Sequence, residues 1–278
     1  MSPKSSDLFA GRVRVDGTRS LFLIAGPCVL EDEDLNLLVA EQVAKISAQA
    51  DIPAIFKASF DKANRSSLES PRGPGLIEGC EVLRRIREQV GLPVLTDIHL
   101  PEQAIHVAEA VDALQIPAFL CRQTDLLEAA ARTGRPVNVK KGQWLAPQDM
   151  VGAVEKIRAA GGREIAVTER GTAFGYGRWV VDMRSFKMMS EATNCVTVFD
   201  ASHSVQLAGA GRSVSGGEPE FIESLSLAAV GAGANGLFVE VHPDPSQAAS
   251  DGSNVLPLDR VEGLVQRCSR VQEVVVRE

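Results

Sequence analysis

The segment "FKASFDKANRSS" places the cationic side chains of Lys57, Lys62 and Arg65 directly after the apolar run "IPAIF", with serine hydroxyls among them. Cations that lack partners repel one another, so such a cluster is tolerated where an anion or interleaved carboxylates neutralise it. The pattern therefore predicts an anion-binding site at the end of a buried strand.

Other residues capable of binding or catalysis follow short apolar runs along the whole chain. Cations that converge on one pocket would suit a ligand carrying both phosphate and carboxylate, although any single one has an alternative as a solvated ion-pair partner. The positions are Cys28, Lys57, Ser59, Asp97, His99, Gln115, Lys140, Arg170, Asp200, His203, Glu240 and His242, and the cations expected around the pocket are Lys57, Lys62, Arg65, Lys140 and Arg170.

A second group of residues predicts a metal site. Cys28, His203, Glu240 and Asp251 offer a thiolate, an imidazole and two carboxylates. This donor set suits a divalent ion such as Zn2+, Fe2+, Mn2+ or Co2+. A buried thiol and a hydrogen-bonded histidine are the alternative, because the four residues are too widely spaced to form a motif. His242 is a competing ligand, since it shares a strand face with Glu240.

Eight short strand patterns alternate with amphipathic helical patterns, and together they would position these groups. The alternation predicts a single (β/α)8 TIM barrel, in which the C-terminal ends of all strands meet at one mouth. A doubly wound open sheet is the alternative, but no G-x-G-x-x-G follows the first strand. The predicted strands are 21–28, 54–60, 94–99, 113–117, 137–140, 164–170, 197–203 and 236–243.

The length of the chain, 278 residues, agrees with one barrel domain over residues 1–278, since such barrels typically have about 250 residues. The segment "RVRVDGTRSLFL" places Asp16-Gly17 between alternating runs. This pattern predicts a hairpin extension within residues 1–20 that closes the bottom of the barrel.

Composition limits the classes of partner. The formal net charge of -7 argues against nucleic acid or a membrane surface as a partner, so an anion must bind at a local basic site. The N-terminal segment lacks an apolar targeting core, and no apolar run approaches the roughly 18 residues of a spanning helix, so a cytoplasmic location is expected. The 5 cysteines are scattered without a C-x-x-C pair, which argues against a disulfide framework.

Through "KASFDKANRSS" the chain resembles the 3-deoxy-D-manno-octulosonate 8-phosphate synthase family. The resemblance continues through "RGPGL", "VLTDIH", "DALQIPAFLCRQTDL", "VNVKKGQWLAP", "RGTAFGY", "FDASHSVQ", "GLFVEVHPDP" and "SDGSNVLPL" in family order. It implies a (β/α)8 barrel that condenses phosphoenolpyruvate with arabinose 5-phosphate and water in lipopolysaccharide precursor biosynthesis. Both substrates are anions, which would account for the cation cluster.

The resemblance also implies roles for individual residues. Lys140 and Arg170 would hold the phosphate of phosphoenolpyruvate, while Ser59, Lys62 and Gln115 would position its carboxylate end. Asn64, Arg65 and Ser66 would meet the sugar phosphate in a neighbouring subunit's site, which implies a homotetramer. The complete set expected to bind substrate is Lys57, Ser59, Asn64, Arg65, Ser66, Gln115, Lys140 and Arg170, and the set expected to take part in catalysis is Cys28, Lys62, Asp97, His203 and Asp251.

The family has metal-dependent and metal-independent types, and the resemblance points to the first. Metal-independent relatives carry Asn at the position of Cys28, and Gly142 and Ser250 also match the metal-dependent type. The implied metal ligands are Cys28, His203, Glu240 and Asp251.

Three other functions stay open at this point. The 3-deoxy-arabino-heptulosonate 7-phosphate synthases share the chemistry with erythrose 4-phosphate, but typically read Lys-Pro-Arg-Thr where this chain has Lys62-Ala63-Asn64-Arg65. A Schiff-base aldolase would use Lys57 or Lys140 as its nucleophile. A phosphosugar-binding regulator would bind the sugar without releasing phosphate.

Overall fold

Eight parallel strands close into a barrel in the computed structural model, which describes residues 6–8, 13–15, 21–63, 65, 71–207 and 216–276. The strands are β1 (Phe22–Gly26), β2 (Ala54–Lys57), β3 (Val94–Asp97), β4 (Ala113–Ile116), β5 (Val137–Lys140), β6 (Ile165–Glu169), β7 (Val196–Asp200) and β8 (Gly236–His242). Each strand pairs with the next, and β8 pairs with both β7 and β1. The predicted barrel is confirmed, because an open sheet would leave β1 or β8 with a free edge.

Helices follow the strands and cover the outside of the barrel. The first helix shows how local sequence sets its ends: the Asp32 side chain accepts from the Leu35 backbone N–H at 2.9 Å, and Asp51 ends the helix in the left-handed region at φ 51°. The helices are α1 (Glu33–Ala50), α2 (Leu76–Val90), α3 (Gln103–Ala110), α4 (Thr124–Arg132), α5 (Met150–Ala159), α6 (Ser185–Thr193), α7 (Ile222–Gly231) and α8 (Val261–Val276).

Apolar side chains form two separate buried layers. Alternation along β1 sends Phe22 and Ile24 to an inner cluster and Leu23 and Ala25 to the larger cluster shared with the helices. Phe238 of β8 belongs to the inner cluster as well. Because apolar residues fill the barrel centre, polar residues are left to gather at its C-terminal mouth.

Several predicted strands end earlier than the sequence suggested. β7 stops at Asp200, because the Asp200 side chain accepts from the His203 backbone N–H at 2.9 Å and starts a short helix, Ala201–Ser204. His203 is therefore a helical residue and not a strand residue. Cys28 and Ser59 also lie just beyond their strands, where a bridge joins Val29 to Ser59.

Short strands and 3-10 helices lie in the loops outside the barrel strands and the main helices. Strands Thr172–Gly175, Arg178–Val180, Gln206–Leu207 and Gly216–Gly217 form a small antiparallel sheet in the loops after β6 and β7, and Leu256–Pro257 pairs beside β8. Short 3-10 helices are Ala118–Leu120, Pro147–Asp149, Pro219–Phe221, Pro245–Gln247, Gly252–Asn254 and Leu258–Arg260.

The N-terminal segment contains a hairpin in which Ser6–Leu8 pairs antiparallel with Val13–Val15. The predicted turn at Asp16-Gly17 lies outside the described residues, and closure of the barrel bottom by this segment stays a prediction. In the described part of the chain, no helix combines the length and apolar character needed to cross a membrane.

Candidate active site

Polar side chains at or just beyond the ends of seven strands, β2 to β8, meet in one cavity at the C-terminal mouth of the barrel. Four cations line it, and nine residues that the sequence analysis selected come together there. The lining residues are Lys57, Ser59, Lys62, Asp97, Gln115, Pro117, Ala118, Phe119, Lys140, Gln143, Arg170, His203 and Glu240.

Lys57 is buried and fully engaged. Its Nζ donates to the Cys28 carbonyl at 3.1 Å, to Ser59 Oγ at 3.0 Å and to Glu240 Oε1 at 3.3 Å. An ammonium group has three N–H donors, and all three are used here. Lys57 therefore acts as a fixed cation that holds the ends of β1, β2 and β8 together.

Lys62 lies at the same carboxylate, with its Nζ 3.9 Å from Glu240 Oε1. Burial opposes its charge, but the neighbouring Cys28 and the Glu240 carboxylate outweigh burial and raise the pKa of Lys62 well above its ordinary value. Lys62 is thus a permanently protonated group at the mouth.

Asp97 is an ionised carboxylate that accepts from two sides. Its Oδ1 accepts from Ser59 Oγ at 2.5 Å, and its Oδ2 lies 2.9 Å from Nε2 of His99. Burial opposes ionisation, but the hydrogen bond from His99 and the charge of Lys57 hold the pKa of Asp97 well below its usual range. Asp97 therefore serves as a fixed negative charge and not as a proton donor.

Lys140 lies between a carboxylate and an aromatic ring. Its Nζ donates to Asp200 Oδ2 at 2.6 Å and lies 3.6 Å from the centre of the Phe238 ring. Burial lowers the pKa of Lys140, and Asp200 opposes that effect. Although burial opposes its ionisation, Asp200 has a pKa held below its usual range by His203 and Lys140.

Arg170 has an unused donor. Its Nη2 donates to Gln206 Oε1 at 3.0 Å and its Cζ lies 5.2 Å from the centre of the Trp179 ring, but its buried Nη1 has no partner among the described residues. A buried donor without a partner costs free energy, and an anionic oxygen in the cavity would remove that cost. The arrangement suits a phosphate group.

Three of the four predicted metal ligands lie together. One ligand atom each from Cys28, Glu240 and Asp251 lies within 4.8 Å of the others, and Sγ of Cys28 is 3.4 Å from Oδ2 of Asp251. Oε2 of Glu240 is buried and has no hydrogen-bond partner among the described residues. Burial, followed by Glu240, raises the pKa of the Cys28 thiol well above its ordinary value, so a nearby cation would be needed to keep it ionised. These donors fit a divalent cation.

His203, the fourth predicted ligand, is not among the residues whose ligand atoms lie within 4.8 Å of one another, but its ring is oriented by a carboxylate. Its Nδ1 lies 2.9 Å from Asp200 Oδ2, and because that carboxylate is ionised, Nδ1 must carry the proton. In the neutral ring Nε2 then holds the lone pair, and it lies 3.8 Å from Glu240 Oε1. A carboxylate on the second ring nitrogen is the usual support for a metal-binding histidine.

The competing ligand His242 lies away from this cluster. Its Nδ1 accepts from the Asp244 backbone N–H at 3.0 Å, and its Nε2 lies 3.5 Å from Glu31 Oε1. Although His242 shares a strand face with Glu240, its ring contacts Asp244 and Glu31, and it is not part of the ligand cluster.

Two predicted residues, Asn64 and Ser66, lie outside the described residues. Arg65 is half-buried, and its Nε is a buried atom without a described partner, but it does not line the cavity. Asp251 reaches the Cys28 thiol and not the cavity wall.

Sequence reasoning missed several supporting groups. Gln143 and Phe119 line the cavity, and Gln115 is held by Asn138, whose Nδ2 donates to Gln115 Oε1 at 3.0 Å. Phe238 could have been found, because it lies two residues before Glu240 and so faces the same side of its strand. Gln143 has no comparable signal, since it lies in a loop.

The chain is similar to proteins of one family over almost its whole length. The family model described as "DAHP synthetase I family" matches residues 8–276. A protein named 2-dehydro-3-deoxyphosphooctonate aldolase from Alkalilimnicola ehrlichii is 54% identical over 269 residues, which cover 97% of this chain and 96% of the relative. Proteins of the same name from Nitratidesulfovibrio vulgaris (strain DP4) and Trichlorobacter lovleyi are 57% identical over 248 residues and 51% identical over 271 residues. These matches cover 89% of this chain and 90% of the first relative, and 98% of this chain and 99% of the second.

Proposed function

The chain belongs to the DAHP synthetase I family and, within it, to the 2-dehydro-3-deoxyphosphooctonate aldolases, and from this premise we propose that it condenses phosphoenolpyruvate with D-arabinose 5-phosphate and water. The products are 3-deoxy-D-manno-octulosonate 8-phosphate, a lipopolysaccharide precursor, and inorganic phosphate. The cavity with four buried cations is the observation that carries the proposal. Such a cavity binds ligands with several negative charges.

Lys140 and Arg170 bind the phosphate of phosphoenolpyruvate in this proposal. Both are buried cations at the ends of neighbouring strands, and Nη1 of Arg170 is a buried donor without a partner among the described residues. Ser59, Lys62 and Gln115 hold the carboxylate end. Since this places cations at both ends of the substrate, its orientation is fixed before the reaction begins.

Arg65, with Asn64 and Ser66, meets the phosphate of arabinose 5-phosphate in a neighbouring subunit's site. The half-buried Arg65, whose Nε lacks a described partner, supports a contact that a single chain does not complete. From the family resemblance, the proposal includes a homotetramer with shared sites, and from the sequence it includes a cytoplasmic location.

The reaction forms one carbon–carbon bond and, at C2, replaces the carbon–oxygen bond to phosphate with a carbon–oxygen bond from water. The two protons of water end on the new hydroxyl group and on the released phosphate. The enol carbon C3 of phosphoenolpyruvate attacks the sugar aldehyde, water adds to C2, and phosphate leaves with its bridging oxygen. Negative charge develops on the aldehyde oxygen, where the protonated Nζ of Lys62 can stabilise it. Positive charge develops at C2, and Asp97 is an ionised carboxylate in the same cavity.

A divalent ion, Zn2+, Fe2+, Mn2+ or Co2+, would be held by Cys28, His203, Glu240 and Asp251. The cluster of three donors and the unpartnered Oε2 of Glu240 support this assignment. When bound, such an ion supplies Lewis-acid polarisation of an oxygen atom. The proposal places this chain in the metal-dependent type of the family.

Phosphate release from phosphoenolpyruvate tests the proposal. The enzyme is assayed with arabinose 5-phosphate or erythrose 4-phosphate, each with and without a chelator. We expect release with arabinose 5-phosphate and little with erythrose 4-phosphate. Faster release with erythrose 4-phosphate would assign the heptulosonate activity, and no release with either sugar would favour a regulator.

Borohydride trapping in the presence of substrate separates the Schiff-base alternative. We expect no covalent adduct at Lys57 or Lys140, because both are protonated donors to carboxylates. An adduct on either lysine would replace the proposed mechanism.

A further inference from the structure

A second lysine follows Lys140, the last residue of β5, and is completely buried. Lys141 is 0% exposed and its Nζ lies 3.4 Å from Oε1 of Glu169, which precedes Arg170 and is 1% exposed. Neither residue lines the mouth cavity. Each member of the ion pair is next in sequence to one of the two cations assigned to the phosphate of phosphoenolpyruvate.

Lys141 connects the loop after β5 with the loop after β6. Its Nζ lies 3.3 Å from the carbonyl oxygens of Gly142 and Leu145 in the first loop, and 3.2 Å from Oγ1 of Thr172 in the second. A backbone bond from Ala173 N–H to the Gln143 carbonyl at 2.8 Å joins the same two loops. The lysine thus holds both loops at once.

Glu169 determines where the chain goes after β6. Its Oε1 accepts from the backbone N–H groups of Arg170 at 3.0 Å and Gly171 at 2.8 Å. Gly171 is in the left-handed region at φ +92°, where a Cβ atom would meet the Trp179 Cβ at 2.7 Å. The carboxylate therefore stabilises a sharp turn that directs the Arg170 side chain toward the cavity.

A buried ion pair contributes little net stability compared with apolar residues of the same size, because both charges lose their hydration. Removal of one partner alone is costly, since it leaves a buried charge. The geometry here suggests a different benefit, because Glu169 accepts from the backbone N–H groups of Arg170 and Gly171, and Lys141 binds carbonyl oxygens of the loop that follows Lys140. The distance between Lys140 and Arg170 depends on that backbone.

We infer that Lys141 and Glu169 are positioning residues that set the separation of Lys140 and Arg170 and so determine how tightly the phosphate of phosphoenolpyruvate binds. This inference rests on the proposed function. Displacement of a substrate-binding group by about 1 Å can reduce catalysis by roughly a hundredfold. Loss of the pair should therefore affect one substrate much more than the other.

The test compares Lys141→Met, Glu169→Gln and the double variant in steady-state kinetics with both substrates. We expect the KM for phosphoenolpyruvate to rise about tenfold in Lys141→Met and about threefold in Glu169→Gln, with the KM for arabinose 5-phosphate changed less than about twofold. The double variant should regain thermal stability because no buried charge is left unpaired, but it should keep the raised KM.

Asp112→Asn is the matched control at the opposite end of the barrel. Asp112, the residue before β4, is also a buried carboxylate. It accepts from the backbone N–H of Val94 at 2.9 Å. Its variant should lower the Tm and leave both KM values unchanged. If Lys141 had a purely structural role, Lys141→Met would likewise lower the Tm and leave both KM values unchanged.

Two results would overturn the inference: equal changes in both KM values, or a double variant with a normal KM for phosphoenolpyruvate. Neither result affects the proposed function as long as the wild-type enzyme is active. A wild-type enzyme that does not release phosphate would instead reject the proposed function. If Lys141→Met does not fold, the kinetics of Glu169→Gln test the inference instead. Gln keeps an acceptor for the Arg170 and Gly171 N–H groups and removes only the charge that faces Lys141.

Discussion

Sγ of Cys28 lies 3.4 Å from Oδ2 of Asp251, although 223 residues separate them in the chain. Barrel closure makes this contact, because β8 pairs with β1 and places Glu240 opposite Gly26 in the strand register. Asp251 lies in the loop that follows β8 and adopts the left-handed region at φ 51°, a conformation that aspartate tolerates better than most residues. A thiol and two carboxylates with ligand atoms within 4.8 Å of one another suit a divalent cation at their centre.

Metal removal should abolish most activity and leave the fold intact. None of the three clustered ligands belongs to either apolar cluster, so the barrel core does not depend on the ion. The measurement is phosphate release after exhaustive chelation, with circular dichroism to monitor the fold and elemental analysis to follow the metal. Full turnover in a preparation free of metal would show that Cys28 is only a buried thiol.

Cys28→Asn should lower metal affinity and leave partial activity that a chelator does not affect. The substitution replaces a thiolate ligand with a neutral amide that can still form hydrogen bonds. Metal content after dialysis and activity with and without chelator are the measurements. Cys80→Ser is the control, because Cys80 is also buried but lies in α2, away from the cluster. Equal metal content in Cys28→Asn and wild type would contradict the ligand assignment.

Arg170→Ala should weaken the use of phosphoenolpyruvate by about 2–3 kcal/mol, because it removes a charge-assisted hydrogen bond to a desolvated phosphate. The measurement is kcat/KM for that substrate. Arg85→Ala is the control, since Arg85 pairs with Glu33 on the surface, where both side chains are about half exposed, and should change kcat/KM little. Unchanged kinetics in Arg170→Ala would reject the assignment of this residue.

Arg65 should act across a subunit boundary. Inactive Arg65→Ala subunits are mixed with inactive Lys140→Ala subunits under conditions that exchange chains. Some mixed sites then combine an intact Arg65 from one chain with an intact Lys140 from another, so part of the activity should return. Mixed oligomers that form without any recovery of activity would show that Arg65 serves its own subunit.

Gly26→Ala should destabilise the barrel where β1 and β2 meet. A Cβ atom on Gly26 would lie 2.0 Å from the backbone oxygen of Lys57, which cannot move without breaking the strand pairing. The free energy of unfolding should fall by about 1–3 kcal/mol or more, as measured in urea. Gly152→Ala is the control, because a Cβ atom added to Gly152 in α5 would have no neighbour within 4 Å. A Gly26→Ala variant as stable as wild type would mean that the two strands separate easily.

The local sequence determined the positions of the strands and several of the residues at their ends. The β-branched runs located all eight strands within a few residues, because a strand buried on both faces needs apolar side chains at successive positions. The same reasoning placed Lys57, Lys140 and Glu240 at the ends of strands, where the structure has them. Motifs along the chain also indicated the family, because they depend on residue types and order alone.

The tertiary structure decided which of these residues touch. His203 was expected on a strand, but a hydrogen bond from its backbone to Asp200 begins a helix there, and this turn directs Nδ1 to Asp200 and Nε2 toward Glu240. The burial of Lys141, which lies within the polar run "VKKGQ", also has no local signal in the sequence. Such contacts depend on the closure and register of strands distant in sequence, and the hydrogen bonds that set them form only when the whole barrel is assembled.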